Sequence, residues 1–138
     1  MTFTADEVAY IRSQPLARVA TVSGEGQPDV VPVTFEFDGS HFLIGGYAPE
    51  RARRTRNIAE GNDKVALVID DLASVHPWSP RYLRVYGTVE LVHPDGQPDA
   101  DRIMRITPRV SWSMNLDGAW HPGGGSAPTP RRTEHAPH

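Results

Sequence analysis

Hydrophobic and polar positions alternate with a period of two in several stretches of this chain, and follow a helical period in a few short ones. The first helical stretch opens at Thr4-Ala5-Asp6-Glu7, which has capping-box spacing: the threonine hydroxyl accepts an early helical N–H while the glutamate reaches back. Val8 and Ile11 form the buried side of this helix, and it ends before Pro15. Residues 16–22 (LARVATV) then read as a strand, Ser23 to Gly26 as a turn, and 28–37 (PDVVPVTFEF) as a second strand. In that strand Val31, Val33, Phe35 and Phe37 share one face, and Pro32, Thr34 and Glu36 share the other. Asp38-Gly39-Ser40 is a hairpin turn into a third strand, 41–46 (HFLIGG).

Pro49 suits the first turn of a helix, where its missing N–H would have had no partner; the helix runs through ERARRTRNIAEG and stops near Gly61. Residues 64–70 (KVALVID) are nearly all apolar and predict a strand buried on both faces. A loop over 71–80 follows. The longest strand signal is 81–92 (RYLRVYGTVELV), with Leu83, Val85, Val89 and Leu91 inward and Gly87 marking a bulge or a close backbone approach. Asp95 to Arg105 predicts a short helix, and VSWSM (110–114) a last strand. From Gly118 four Pro and four Gly fall among twenty-one residues, so 118–138 is expected to be a disordered tail behind a domain of residues 1–117. The set describes an α+β, mainly β domain with short helices, of β-barrel type.

At 138 residues the chain suffices for one domain with a real core. It has no cysteine, which removes disulfides, thiolate metal sites and thiol nucleophiles. The N-terminus carries Asp6 and Glu7 with no apolar run, and no stretch has the ~18 apolar residues of a membrane span, so a cytoplasmic protein without membrane contact is expected. A net charge of −3 disfavours a general nucleic-acid binder. Thirteen of the fourteen basic residues are Arg, and four of these lie within positions 51 to 56.

That cluster is the strongest chemical signal. Gly45-Gly46 ends a strand and leads into the Arg-rich helix, an arrangement that brings backbone close to an anion and surrounds it with planar donors. On a helical wheel Ala52, Thr55, Ile58 and Ala59 share one side, and Arg53, Arg54 and Asn57 project on the opposite side. The alternative is a solvated face whose arginines pair with Glu50 and Glu60. Pro32 inside Val31-Pro32-Val33 removes a ladder donor, so either the ladder is interrupted there or the strand lies at an edge, where a planar ring can stack or the proline only blunts aggregation. Trp78, between prolines and near Arg81, either covers a ligand or a neighbouring subunit or folds back on its own barrel. No His/Asp/Glu grouping has metal-ligand spacing, and Ser111 and Ser113 lack a nucleophile elbow. No catalytic side chain is identified, which leaves chemistry done by a bound cofactor.

The order LARVATV, PDVVPVTFEF, HFLIGGY, an Arg-rich helix with Arg-Asn, KVALVIDDL, a WSPR loop, RVYGTVEL and PRVSW resembles the pyridoxamine-phosphate-oxidase-like split-barrel superfamily over residues 3 to 116. Within it the chain is most similar to the small actinobacterial enzymes that use the deazaflavin coenzyme F420. The resemblance implies an FMN-binding split barrel fold, and a homodimer with cofactor at the interface. It implies a flavin-like ring along Val31, Pro32 and Val33, and a phosphate held by Gly46, Arg53, Arg54 and Asn57. Trp78 and Arg81 would reach the other subunit's site. Relatives often carry a small hydroxyl residue and a Lys where this chain has Ala52 and Arg53, with Thr55 a substitute for the hydroxyl. Pyridoxamine phosphate oxidases proper have a longer C-terminal region with substrate-binding Arg and His, so the Gly/Pro tail counts against that activity.

The leading expectation is hydride transfer between F420 and a small organic acceptor, an enone or imine-like molecule, with a proton from water, Tyr47 or Tyr82. The alternatives are an FMN-dependent reductase or oxidase of the same fold, and a non-enzymatic flavin- or haem-binding protein. An oligonucleotide-binding barrel is disfavoured by charge and by few strand-face aromatics.

Overall fold

The computed structural model describes residues 2–46 and 52–136. Its elements are α1 (Ala5–Ser13), β1 (Ala17–Val22), β2 (Pro28–Val33), β3 (Glu36–Phe37), β4 (Phe42–Ile44), α2 (Arg53–Ala59), β5 (Lys64–Ser74), β6 (Ser79–Val92), β7 (Ile103–Met114) and β8 (Arg131–Glu134). The strands form one antiparallel sheet in the order β2-β1-β5-β6-β7-β4-β3, with β8 also on β7.

β2 and β3 lie at opposite edges of this order, yet only Thr34 and Phe35 separate them in sequence. Two residues span less than about 11 Å, so the sheet must curl until its edges meet at that corner. No ladder joins β2 to β3 among the described residues. The result is a barrel left open along one seam, mainly β with two short helices: a split barrel. Its interior is filled by Val19, Phe42, Ile44, Leu67, Ile69, Leu83, Val85, Met104 and Ile106, all 1% exposed or less.

The capping box at Thr4 forms as expected: the Glu7 N–H donates to the Thr4 hydroxyl at 3.1 Å, and the Thr4 N–H donates to the Glu7 carboxylate at 2.9 Å. Gly87 also behaves as its sequence position implied. A Cβ there would lie 2.7 Å from the Thr107 carbonyl oxygen, and the β6–β7 register shifts beside it. That bulge moves the buried phase of β7 from Met104, Ile106 and Pro108 to Ser111 and Ser113.

Five expectations need correction. The strand expected over 28–37 breaks at Thr34–Phe35, because the chain turns the barrel corner there while the in-out alternation continues unchanged. KVALVID is not buried on both faces: Val65, Leu67 and Ile69 are buried, whereas Ala66 and Val68 are half-buried on the outer face. The loop expected over 71–80 is mostly ladder, since Asp71 pairs with Arg81, Leu72 with Pro80 and Ser74 with Ser79. The helix expected over 95–105 is a pair of turns, closed by Gln97 to Pro94 and Ala100 to Gln97 bonds, and β7 has begun by Ile103.

The tail expected to be disordered instead carries β8, paired with β7 from Val110↔Glu134 to Ser113↔Arg131. Buried polar contacts that composition does not register hold it. The Asn115 amide donates to the carbonyls of Pro80 and Trp120, and Arg131 donates at 3.3 Å to Glu7, which also accepts from Ser113 at 2.6 Å.

Candidate functional site

The site is built on β1, the end of β4 and α2. β1 exposes alternate residues, so Thr21 follows Ala17 and Val19 into the interior, where a hydroxyl needs a partner. That partner is Asn57, whose side-chain NH2 donates to Thr21 Oγ1 at 2.8 Å. Asn57 is fully buried, so the expected helix face is corrected: with Thr55 and Ile58 it forms the packed side of α2. Its Oδ1 has no partner. A hydroxyl can donate as well as accept, so the amide can turn over on Thr21 and offer its NH2 to an incoming anion.

Arg54 folds back over the end of β4, where one terminal guanidinium nitrogen donates to the Gly45 carbonyl at 3.0 Å. Its Nε is buried and without a partner, and the residue forms no ion pair within 4 Å among the described residues. Burial lowers its pKa from the ordinary value, and the negative charge of Asp29 opposes that shift. Gly46 has φ +77°, and a Cβ there would stand 3.1 Å from the Arg54 guanidinium. Glycine therefore both permits the backbone turn and leaves open the space in front of the cation. A half-buried guanidinium with an unspent N–H, next to an amide with an unpaired atom, is a donor set that fits a phosphate. A cleft of about 610 Å³ opens beside Gly45 and Gly46, walled by Phe35, Leu43, His93 and Ile103.

Of the residues singled out in the sequence, the structure brings together Gly46 and Arg54, while Asn57, one helical turn after Arg54, is buried against Thr21. Arg53 is exposed on the first turn of α2. Val31, Pro32 and Val33 lie on β2, whose far edge is unpaired among the described residues; Val33 is buried, Val31 half-buried and Pro32 exposed. Tyr47, Pro49 and Glu50 lie outside the described residues.

Trp78 and Arg81 do not join this group within one chain. They belong to the far end of the β5–β6 hairpin, and five ladder positions, roughly 17 Å, separate Arg81 from Tyr86, whose partner Ala66 pairs with Ala20 next to Thr21. Trp78 is exposed at the turn. Arg81 forms a two-pronged pair with Asp71, at 2.7 and 2.9 Å, and donates to the Leu116 carbonyl at 3.1 Å. The Tyr10 hydroxyl and the Gln14 amide complete the coordination of Asp71 at 2.8 and 3.1 Å. The Arg81 bonds hold the Asp71 carboxyl below its usual range, while burial and the Asp71 bond push the Tyr10 hydroxyl well above its own. This network ties α1 to the hairpin.

Sequence reasoning missed Thr21, Asp29 and Asp71. A threonine at an inward position of LARVATV was the available signal for the first; the other two are legible only once strand register is known.

The comparisons with known proteins bear on the family and the fold. Over residues 3–120 the chain matches the family described as pyridoxamine 5'-phosphate oxidase. It is 38% identical over 125 residues to the 5a,11a-dehydrotetracycline/5a,11a-dehydrooxytetracycline reductase of Streptomyces rimosus subsp. rimosus, covering 85% of this chain and 87% of that protein. Among solved structures it is similar to an F420 reductase, with a TM-score of 0.54 and 25% identity over 71% of this chain and 90% of that one. It is similar in fold to the heme storage protein HutZ of Vibrio cholerae, with a TM-score of 0.61 and 14% identity over 79% of this chain and 92% of that one.

Proposed function

This chain belongs to the pyridoxamine 5'-phosphate oxidase family, and from that premise we propose that it is an F420-dependent reductase of small organic acceptors, acting as a homodimer with the coenzyme between subunits. The observation that carries the reading is the cradle of Gly46, Arg54 and Asn57: a half-buried guanidinium with an unspent Nε–H against Gly46 at the end of β4, and one helical turn on a buried amide whose oxygen has no partner. Its nearest support outside the structure is the reductase relative at 38% identity, together with the F420 reductase of similar fold.

When bound, the coenzyme supplies a hydride, and the protein's part is position and electrostatics. Arg54 and Asn57 hold the phosphate, and Gly46 gives it room. Arg53, exposed one residue before, is available to the carboxylates of the coenzyme's tail. The unpaired edge of β2 at Val31–Val33 is the rail along which the ring lies. Trp78, too far to serve its own cradle, covers the ring in the partner site. The acceptor, an enone or imine-like double bond, gains the hydride at one atom and a proton at the other, from water or from half-buried Tyr82. Arg81 is committed to Asp71, so it supports the hairpin that presents Trp78.

The test is turnover: reduced F420, protein and a panel of enones, with coenzyme reoxidation followed by absorbance. Protein-dependent reoxidation with at least one acceptor supports the reading. Reoxidation no faster than without protein, under conditions where the coenzyme is bound, would remove the catalytic part of it.

A further inference from the structure

The cradle has a negative neighbour. Asp29 stands directly across the β1–β2 ladder from Thr21, the residue that anchors Asn57. It shares the less exposed face of β2 with Val31 and Val33, and is itself half-buried. Among the described residues its carboxylate has no hydrogen bond and no ion pair; in particular it does not touch Arg54, although the two charges influence each other. A carboxylate with no partner among the described residues offsets part of the positive charge that Arg54 brings to the cradle.

We propose that Asp29 selects the charge of the phosphate that the Gly46–Arg54–Asn57 cradle accepts, admitting a singly charged phosphodiester and disfavouring a doubly charged phosphomonoester. The inference rests on reading the cradle as the cofactor's phosphate site. A phosphomonoester carries about −1.5 to −2 at pH 7, as phosphorylated side chains do, whereas a phosphodiester carries one charge. Arg54 attracts each added negative charge and Asp29 opposes it, so the carboxylate lowers the preference for the more highly charged ligand. At an effective dielectric of about 20, a carboxylate about 7 Å from a phosphate opposes an extra half charge by on the order of tenfold in affinity. F420 presents a phosphodiester at this position and FMN a phosphomonoester. Asp29 therefore adds a discrimination between the two cofactors that does not depend on their rings.

Two ligands isolate this effect: the 5′-phosphate of the deazaflavin core, and the methyl ester of that phosphate. They share one ring and differ by one ionisable oxygen. Fluorescence quenching should show that Asp29→Asn, which keeps the side chain's shape, shifts the ratio of affinities towards the free phosphate by about tenfold, through tighter binding of that ligand. A purely structural role for Asp29 would weaken both ligands in parallel and preserve their ratio, which would overturn the proposal. So would a shift towards the methyl ester. Arg54→Ala separates the two levels: loss of both ligands upholds the cradle, and affinity for both unchanged would overturn the cradle reading along with the selection by Asp29.

Discussion

Arg54 is half-buried, donates one bond to the Gly45 carbonyl and leaves its Nε unsatisfied. A buried donor without a partner costs about 1–3 kcal/mol, so this side chain is a stability liability that an anion relieves. Arg54→Ala should therefore leave the melting temperature unchanged or raise it, while coenzyme affinity falls at least tenfold, in thermal melts and titrations of the same preparation. Asp71 behaves in the opposite way. Its bonds from Arg81 and Tyr10 hold its folded pKa below the unfolded value near 3.9, so its contribution is complete above that value and is lost as pH falls through the folded one. Asp71→Asn should cost about 1–3 kcal/mol at pH 7. Denaturant titrations from pH 7 downward should show the difference shrinking below about pH 4; a difference that persisted undiminished at the acid end would rule out the ion pair as its cause. At this scale sequence reading succeeded where chemistry was local. That Gly46 and Arg54 lie near each other was legible, because a strand ending in Gly-Gly leads within a few residues into the helix that carries the arginine. Asn57 was placed on the wrong face because seven helical residues give too short a wheel to fix the buried side. The pairing of Arg81 with Asp71 was not legible, because the two face each other only through strand register.

Elements announced by hydrogen-bond chemistry were easier to read than those defined by where they stop. The capping box fixed the start of α1, and a glycine with no room for a Cβ fixed the bulge in β6. The corner at Thr34–Phe35 was invisible because alternation runs straight through it. β8 was hidden for a different reason: its stability comes from the unpaired half of β7 and from Glu7, both remote in sequence. Truncation after residue 117 tests this. It removes β8, opens the edge of β7 at 110–113 and takes Arg131 from the buried Glu7, which should cost about 1–3 kcal/mol and promote aggregation through the bare edge. Coenzyme affinity should survive, because the cradle draws on β1, β4 and α2 alone. A truncated chain that melts like the full one would make β8 an ornament.

For the whole molecule, topology does what no local segment can. A two-residue link between the outermost strands closes the barrel and brings the end of β4, the edge of β2 and α2 into one neighbourhood. The same topology leaves Trp78 at the far end of a long hairpin, so a site that uses both ends requires two copies. No described helix is long and apolar enough to cross a membrane. The mainly β barrel was legible in the count and spacing of apolar runs; its seam was not, because an open edge depends on which strands pair. The central claim is that the cradle holds the phosphodiester of a deazaflavin coenzyme, and the most direct test is to titrate cofactor-free protein with F420 and, separately, with FMN, following the quenching of ligand fluorescence. Tight binding of F420, at least tenfold stronger than that of FMN, is the predicted result. FMN binding more tightly than F420, or neither ligand binding, would contradict it.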